Sequence, residues 1–107
     1  MYPDEPGVYA IIDSKMRAYI GATTKSLNDK WKQHQRNLQK RNHHCKFMQN
    51  VFYKGYILEF IPLEINDDPW KAEQEWWDRF KEQGYEMMNG RPDGNGGYIF
   101  DEETRKK

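Results

Sequence analysis

The chain has 107 residues, the usual size of one domain, and is polar, with a mean hydropathy of −1.16. Its 17 Lys or Arg balance 17 Asp or Glu, so net charge alone does not indicate a nucleic-acid partner. No run approaches the ~20 apolar residues of a membrane span, and the N-terminus lacks a signal-peptide pattern. The single Cys45 excludes a disulfide framework and a multi-cysteine zinc site. These features predict a cytoplasmic protein without a membrane partner.

The charges are unevenly distributed along the chain. Residues 15–46 contain nine Lys or Arg and one acid, whereas residues 59–82 contain eight Asp or Glu and three basic residues. This pattern predicts a basic face that follows phosphates and an acidic region that holds a cation. The alternative is a set of ordinary solvated helix surfaces. The predicted nucleic-acid contacts are Lys25, Lys32, Arg36 and Lys40.

Two short β-prone runs, GVYAIID and MRAYIGA, predict a hairpin that turns around Ser14 and Lys15. Tyr9 and Tyr19 have the same parity. A turn that pairs Asp13 with Lys15 places the two tyrosines opposite each other on one face, whereas a two-residue turn places them on opposite faces. We predict the odd-length turn.

Two helices are predicted in the basic segment. Ser26 and Asp29 resemble an N-terminal capping box, which opens a helix that extends to about Lys40. A shorter helix covers residues 45–53 and ends at Gly55.

The second half of the chain predicts a strand over residues 56–65, where Pro62 favours a sheet edge. Asp67 or Asp68 is predicted to cap a third helix that has Pro69 in its first turn. The element order is β-β-α-α-β-α. It predicts an α/β (α+β) fold with a small three-stranded antiparallel or mixed sheet flanked by helices. The domain is predicted to span residues 1–97, followed by a charged tail over 98–107.

Two polar side chains interrupt apolar helix stripes. Glu73 shares a stripe with Trp76, Trp77 and Phe80, so its carboxylate should be buried, which is costly unless it is paired or bound to a metal. The alternative is a first-turn carboxylate that pairs with a basic residue and favours the helix dipole. His34 interrupts the stripe of the first helix, and its alternative is a satisfied core histidine.

Two other motifs do not predict a site. His43 and His44 lack the i, i+4 spacing that places two imidazoles on one helical face, and no zinc site is predicted there. The run GRPDGNGG lacks the pattern GxxxxGK[ST] and does not open a helix, so residues 89–97 are predicted as a connecting loop.

Five short motifs resemble the GIY-YIG nuclease family, in that family's order. GVY at 7–9 and YIG at 19–21 resemble its two tripeptides, LNDKWKQH at 27–34 resembles its LxxRWxxH helix, and EQEW at 73–76 resembles its E-x-x-W helix. The closing matches are Gly84, Tyr85 and Asn89. The resemblance extends from about residue 6 to residue 94. It implies a metal-dependent DNA endonuclease that hydrolyses or nicks phosphodiester bonds.

The resemblance also implies a role for each matching residue. Glu73 holds one Mg²⁺ or Mn²⁺ ion, a hard cation that prefers carboxylate oxygen and keeps several waters. Tyr9 is the general base or orients the attacking water, and Tyr19 and His34 position the site, with His34 assisting proton transfer. Asn89 braces the site by hydrogen bonds.

One position departs from the family pattern. Lys30 replaces the helix arginine, which keeps the positive charge but loses the planar, two-pronged fit to phosphate. The departure leaves open a weakened nucleic-acid-binding or partner-binding module that retains the fold. A scaffold without nucleic acid leaves the basic segment and Glu73 unexplained. No DNA-reading module is recognisable, so three alternatives stay open: a stand-alone nuclease, a piece of a longer protein, or a subunit whose specificity comes from a separate domain or protein partner.

Overall fold

The computed structural model describes residues 2–94 and 98–99. The elements are β1 (Gly7–Ile12), β2 (Arg17–Thr23), α1 (Leu27–Gln39), α2 (Lys46–Tyr53), β3 (Glu59–Ile65), α3 (Trp70–Glu82), β4 (Glu86–Met87), β5 (Arg91–Pro92) and β6 (Tyr98–Ile99). The predicted fold class is confirmed. The last three strands were not predicted, because two residues are too few to show an alternating pattern. No helix in the described part of the chain could span a membrane.

The central sheet has four strands in the order β3-β1-β2-β4. β1 is antiparallel to both of its neighbours, and β4 is parallel to β2. Pro62 lies in β3 at the sheet edge, as predicted, and the register between β1 and β3 shifts between Val8 and Tyr9. An edge strand tolerates a proline because one side of its backbone needs no partner.

The turn between β1 and β2 is built on Asp13. Its buried carboxylate accepts hydrogen bonds from the backbone N–H of Lys15 and Arg17 and from the Arg17 guanidinium, the last at 2.6 Å. Asp13 N–H also donates to the Arg17 carbonyl. The predicted pairing of Asp13 with Lys15 was therefore wrong, because the Asp13 side chain stabilises a longer turn in which Met16 has a φ of 57°.

The longer turn has the same parity as the predicted one, so both tyrosines still lie on one face. Tyr9 pairs with Gly21, and Tyr19 pairs with Ile11, which makes the tyrosines diagonal neighbours rather than direct partners. Their ring centroids are 6.4 Å apart.

Helices cover both faces of the sheet. On one face α1 and α2 pack on a core that contains Tyr9, Ile11, Tyr19, Leu27, Leu38, Met48, Val51, Phe60 and Met88. On the other face α3 packs on Val8, Ala10, Ile20 and Ala22 through Ala72 and its aromatic side chains. The chain is therefore a three-layer domain, and side chains that reach the site come from both outer layers.

The helix starts follow local hydrogen bonding. The Ser26 side chain accepts from Asp29 N–H at 3.2 Å, which confirms the predicted cap of α1. The predicted Asp cap of α3 was wrong. Pro69 occupies the cap position without a side-chain bond, because the preceding turn is instead held by the Asn66 side chain, which accepts from Asp68 N–H.

The segment after β4 is attached to α3 instead of forming a simple connector. Arg91 makes two hydrogen bonds to the Asp78 carboxylate at 2.8 and 2.9 Å, and Gln74 donates to the Pro92 carbonyl. β5 pairs with β6, so Tyr98–Ile99, which the sequence assigned to the tail, pairs with the domain. The rest of the predicted tail, residues 100–107, and residues 95–97 lie outside the described part.

Candidate active site

Tyr9 and Gly21 fit together across the first two strands. Tyr9 is 1% exposed and lies directly over Gly21, its partner in β2. A Cβ atom at Gly21 would overlap the Tyr9 hydroxyl and ring. The glycine of the second tripeptide therefore keeps open the space that the tyrosine of the first tripeptide fills.

A chain of hydrogen bonds leads away from the Tyr9 hydroxyl. Tyr9 Oη lies 2.7 Å from Nε2 of His34, and Nδ1 of His34 lies 2.6 Å from Nε2 of His43. The backbone N–H of Cys45 then donates to Nδ1 of His43 at 3.0 Å. The chain joins β1, α1 and the loop before α2, and both histidines are buried.

A second tyrosine–histidine pair lies beside this chain. Tyr19 Oη is 3.1 Å from Nε2 of His44, and the rings of His43 and His44 stack with centroids 4.5 Å apart. Sequence reasoning missed His43 and His44 as site residues. Both lie in the loop between two helices, where no periodicity indicates a face, and only the tertiary fold brings them to Tyr9 and Tyr19.

The three imidazoles are uncharged near neutral pH. Burial, followed by electrostatic repulsion from His43 when it is protonated and from Lys30, lowers the pKa of His34 to about 3. Burial and His44 lower the pKa of His43 to about 4, and burial and Lys30 also lower the pKa of His44. Each neutral imidazole has one N–H donor and one nitrogen acceptor, so these rings can only form directed chains of hydrogen bonds.

Glu73 comes from the opposite layer, in the first turn of α3. Glu73 is 3% exposed, which confirms the burial predicted from the helix stripe. Burial and then the nearby Asp93 carboxylate raise the pKa of Glu73 to about 7, while Lys30 opposes the increase. Asp93 follows β5, and sequence reasoning missed it because it lies in the glycine-rich segment that was predicted as a connector.

Lys30 links the polar groups of the two layers. It lies on α1, one turn before His34, and is half-buried. Its positive charge lowers the pKa of His34, His43, His44 and Glu73. The Lys30 ammonium therefore lies near both the histidines and the Glu73 carboxylate.

Asn89 continues the sheet where β4 ends. Its side-chain amide donates to the Ile20 carbonyl at 2.8 Å, and its side-chain oxygen accepts from Ile20 N–H at 3.2 Å. The Asn89 carbonyl accepts from Nε1 of Trp77 on α3. These hydrogen bonds fix Asn89 next to Ile20, between Tyr19 and Gly21.

A cleft of about 430 Å³ opens beside Lys30, between the β2–α1 loop, α1 and the start of α3. Lys25, Lys30 and Arg36 contribute its positive charge. Among the described residues, Lys32 and Lys40 do not line the cleft, although both are exposed on α1 or at its end. The structure thus brings together two of the four predicted nucleic-acid contacts.

Glu73 and Asp93 fit a hard divalent cation. Two neighbouring carboxylates, one buried with a raised pKa, repel each other unless a proton or a cation lies between them. The described residues hold no group of three or more His, Cys, Asp or Glu side chains arranged as metal ligands. An ion here would therefore keep several waters, as Mg²⁺ usually does.

Comparison with known proteins finds a matching family profile and similar solved structures. The family profile of the GIY-YIG catalytic domain matches residues 5–86. The chain belongs to the GIY-YIG family. The catalytic domain of the homing endonuclease I-TevI is similar in structure, with a TM-score of 0.66 and 24% identity over 91% of this chain and 100% of that one. A mutant of the catalytic domain of the intron endonuclease I-TevI has a TM-score of 0.66 and 21% identity over 89% and 99% of the two chains. Comparison with curated proteins finds no significant match.

Proposed function

We propose that this GIY-YIG domain is a metal-dependent DNA endonuclease that hydrolyses or nicks phosphodiester bonds. The observation that carries the proposal is the buried Glu73 carboxylate, which lies near a second carboxylate, Asp93, and near the Lys30 ammonium. A purely structural role gives no reason to bury one carboxylate beside another, since the repulsion raises the free energy of the folded state. A site for a cation and a phosphate does.

Glu73 is the residue that would hold a Mg²⁺ or Mn²⁺ ion, with Asp93 close by. When bound, such an ion supplies positive charge to the scissile phosphate and to the leaving oxygen. Lys30 neutralises a further phosphate charge from the side of α1. An ammonium orients a phosphate less well than a guanidinium, so this domain should cut more slowly with lysine than with arginine at this position.

Tyr9 is the residue that would accept a proton from the attacking water or orient that water. His34 holds its hydroxyl oxygen at 2.7 Å, and Gly21 leaves room for its ring. Tyr19, held by His44, would orient the same region from the next strand. Positioning of this kind lowers the barrier because the reacting groups need no reorganisation.

The basic cleft is the proposed path of the DNA backbone. Lys25 and Arg36 line it on either side of Lys30, while Lys32 and Lys40 would supply outer phosphate contacts. Contacts of this type fix the position of DNA but carry no sequence information. Any choice of a target sequence would therefore need contacts other than these, and a separate specificity domain or a protein partner could supply them.

Lys30 also favours a second candidate function, a nucleic-acid-binding or partner-binding module that retains the fold without cutting. A module of this kind would bind DNA through the same basic cleft. It would show no dependence on a divalent ion for any change in the DNA.

Incubation of supercoiled plasmid with the protein, with and without Mg²⁺ or Mn²⁺, tests the proposal. We expect nicked or linear DNA only with the ion, no product from Glu73→Gln, and normal product from Glu75→Gln. Glu75 is a matched control because it lies two residues further along α3 and is exposed. Intact plasmid in the presence of demonstrated DNA binding would instead support the second candidate.

A further inference from the structure

The hydrogen-bond chain from Cys45 to Tyr9 has a direction that the positions of its atoms determine. The Cys45 backbone N–H can only donate, and it points to Nδ1 of His43 at 3.0 Å. Nδ1 of His43 must therefore be the acceptor nitrogen, which leaves the single proton of the neutral ring on Nε2.

The tautomer of His43 determines the position of the proton on His34. Nε2 of His43 donates to Nδ1 of His34 at 2.6 Å, so the proton of neutral His34 lies on its own Nε2. That nitrogen faces the Tyr9 hydroxyl at 2.7 Å. His34 is then the donor and Tyr9 Oη the acceptor.

We propose that the Cys45 amide, acting through His43, fixes the tautomer of His34 so that His34 donates a hydrogen bond to Tyr9. His43 is thus a positioning residue, and His34 supports Tyr9 as a donor rather than accepting its proton. This inference rests on the proposed function, in which Tyr9 acts on the attacking water. It differs from a proton-transfer role for His34, because a ring whose Nδ1 already accepts and whose Nε2 already donates has no nitrogen left to take a proton.

Other contacts hold the chain in place. His43 is 1% exposed, its backbone N–H donates to Oε1 of Gln49, and Nε2 of Gln49 donates to the Leu38 carbonyl at the end of α1. The low pKa values of His34 and His43 agree with neutral rings, which the directed chain requires. Because hydrogen bonds fix both the ring and the backbone of His43, its ring nitrogen keeps a constant position relative to His34.

The direction matters for the Tyr9 oxygen. A donor at 2.7 Å stabilises negative charge on that oxygen and directs the remaining lone pair and the hydroxyl hydrogen away from His34. If the hydrogen bonds ran in the opposite direction, the Tyr9 hydroxyl would donate its hydrogen to His34. No donor from His34 would then stabilise negative charge on the Tyr9 oxygen.

Nitrogen-15 NMR of the imidazole rings, on the protein without DNA or divalent ion at pH 7, measures the tautomers directly. We expect the Nε2–H tautomer at both His34 and His43. An Nδ1–H tautomer at either ring overturns the proposal, whether or not the protein cuts DNA. If these tautomers are found but plasmid stays intact, the proposed nuclease function fails and the directed chain stands.

Variants at His43 test its positioning role. His43→Phe keeps an aromatic ring but removes the donor, so His34 should populate both tautomers, and single-turnover cleavage should fall roughly 10-fold to 100-fold while DNA affinity is unchanged. His43→Gln keeps an N–H donor near the position of Nε2 and should retain more of the rate. His44→Phe is the control, because His44 stacks on His43 but lies outside the chain, and it should leave the His34 tautomer unchanged.

A His43→Phe protein that keeps the His34 Nε2–H tautomer and the normal rate would overturn the positioning role. If His43→Phe does not fold, His43→Leu removes the same donor with a smaller side chain and should likewise let His34 populate both tautomers. If neither donor-free variant loses the single His34 tautomer seen in wild type, another group controls that tautomer.

Discussion

The two faces of the central sheet bury polar groups in different chemical states. On the face covered by α1 and α2, His34 and His43 are neutral imidazoles that are hydrogen-bonded to each other, and His34 is also hydrogen-bonded to Tyr9. On the α3 side, Glu73 is a buried carboxylate with a pKa of about 7, beside Asp93. The polar atoms of the first group bond to one another, whereas the carboxylates of the second repel each other unless a proton or a cation lies between them. Under the proposed function, a preformed framework and a site completed by a cation therefore meet at Lys30.

The largest expected effect is on cleavage by Glu73→Gln, which removes the proposed ion ligand while keeping size and shape. We expect the cleavage rate to fall more than about 10³-fold. Thermal unfolding should also show that Mg²⁺ or Mn²⁺ raises Tm for wild type and for Glu75→Gln but not for Glu73→Gln. Wild-type cleavage by Glu73→Gln would remove this residue from the mechanism.

The next effect is at Lys30, where the two groups meet. Removing one electrostatic contact to the transition state costs roughly 2.7–4 kcal/mol, so Lys30→Ala should cut about 10²–10³-fold more slowly, and Lys30→Arg should cut faster than wild type. Single-turnover rates at saturating Mn²⁺ measure this, with Lys71→Ala as the control for an exposed lysine elsewhere. Equal rates for wild type and Lys30→Ala would favour the binding module.

The two groups should respond to pH in opposite directions. The folded-state pKa values of His34 and His43 lie below 6.5, so their contribution to stability is present above pH 6.5 and is lost as pH falls toward about 3 to 4. The folded-state pKa of Glu73 lies above 4.5, so its contribution is present below pH 4.5 and is lost as pH rises to about 7.

Glu73→Gln isolates the acidic member of this pair. Relative to wild type, the variant should gain free energy of unfolding between pH 4.5 and pH 8, on the order of 3 kcal/mol. Urea unfolding without divalent ions at pH 5 and pH 8 measures the change. A stability difference that does not vary with pH would show that the folded state does not disfavour the Glu73 carboxylate.

A smaller effect is expected at Gly21 on the tyrosine side. Because a Cβ atom would overlap Tyr9, Gly21→Ala should lower the free energy of unfolding by about 1–3 kcal/mol and reduce cleavage. In the double variant with Tyr9→Phe, the nearest overlapping atom is absent. The double variant should therefore lose less free energy of unfolding than the sum of the losses of the two single variants. Fully additive losses would show that a Cβ atom at residue 21 does not clash with the Tyr9 hydroxyl.

The smallest effect is on DNA affinity. Replacing Lys25 and Arg36 by glutamine should reduce the slope of log affinity against log salt by about 0.9 for each lost phosphate contact. Lys32 and Lys40 are exposed outside the cleft, so their outer phosphate contacts should be only partly formed, and replacing both should reduce the slope less. Fluorescence anisotropy over a salt series compares the pairs, and equal reductions would argue against the cleft as the DNA path.

Residues on regular elements could be predicted from the sequence. Tyr9 and Tyr19 were identified by their places in the two tripeptides, and the parity of the hairpin predicted their common face. His34 and Glu73 were identified because they interrupt helical stripes whose period the fold preserves. The parity of the hairpin was predicted correctly even though the pairing of its turn was not, since face depends only on parity.

Residues in irregular segments could not be predicted from a periodic pattern, and Asn89 was identified only by its resemblance to the family motif. His43, His44 and Asp93 lie in loops, where no repeat indicates which way a side chain points. Their place in the site depends on contacts with residues far away in the chain, such as the bond from His43 to His34. The cap of α3 was mispredicted for a related reason, because Asn66 and the two following aspartates compete for the same turn.

The amide of Asn89 closes the edge of β2 with a side chain where a backbone would ordinarily do so. A strand that continued along β2 would have had to stay in the plane of the sheet. By ending the pairing with a single side chain, the chain is released from that plane at residue 89 and can cross to α3, where Trp77 and Gln74 hold it. Asn89 thus completes the hydrogen bonding at the edge of β2 and also marks the point where the chain leaves the sheet. The segment that follows places Asp93 near Glu73.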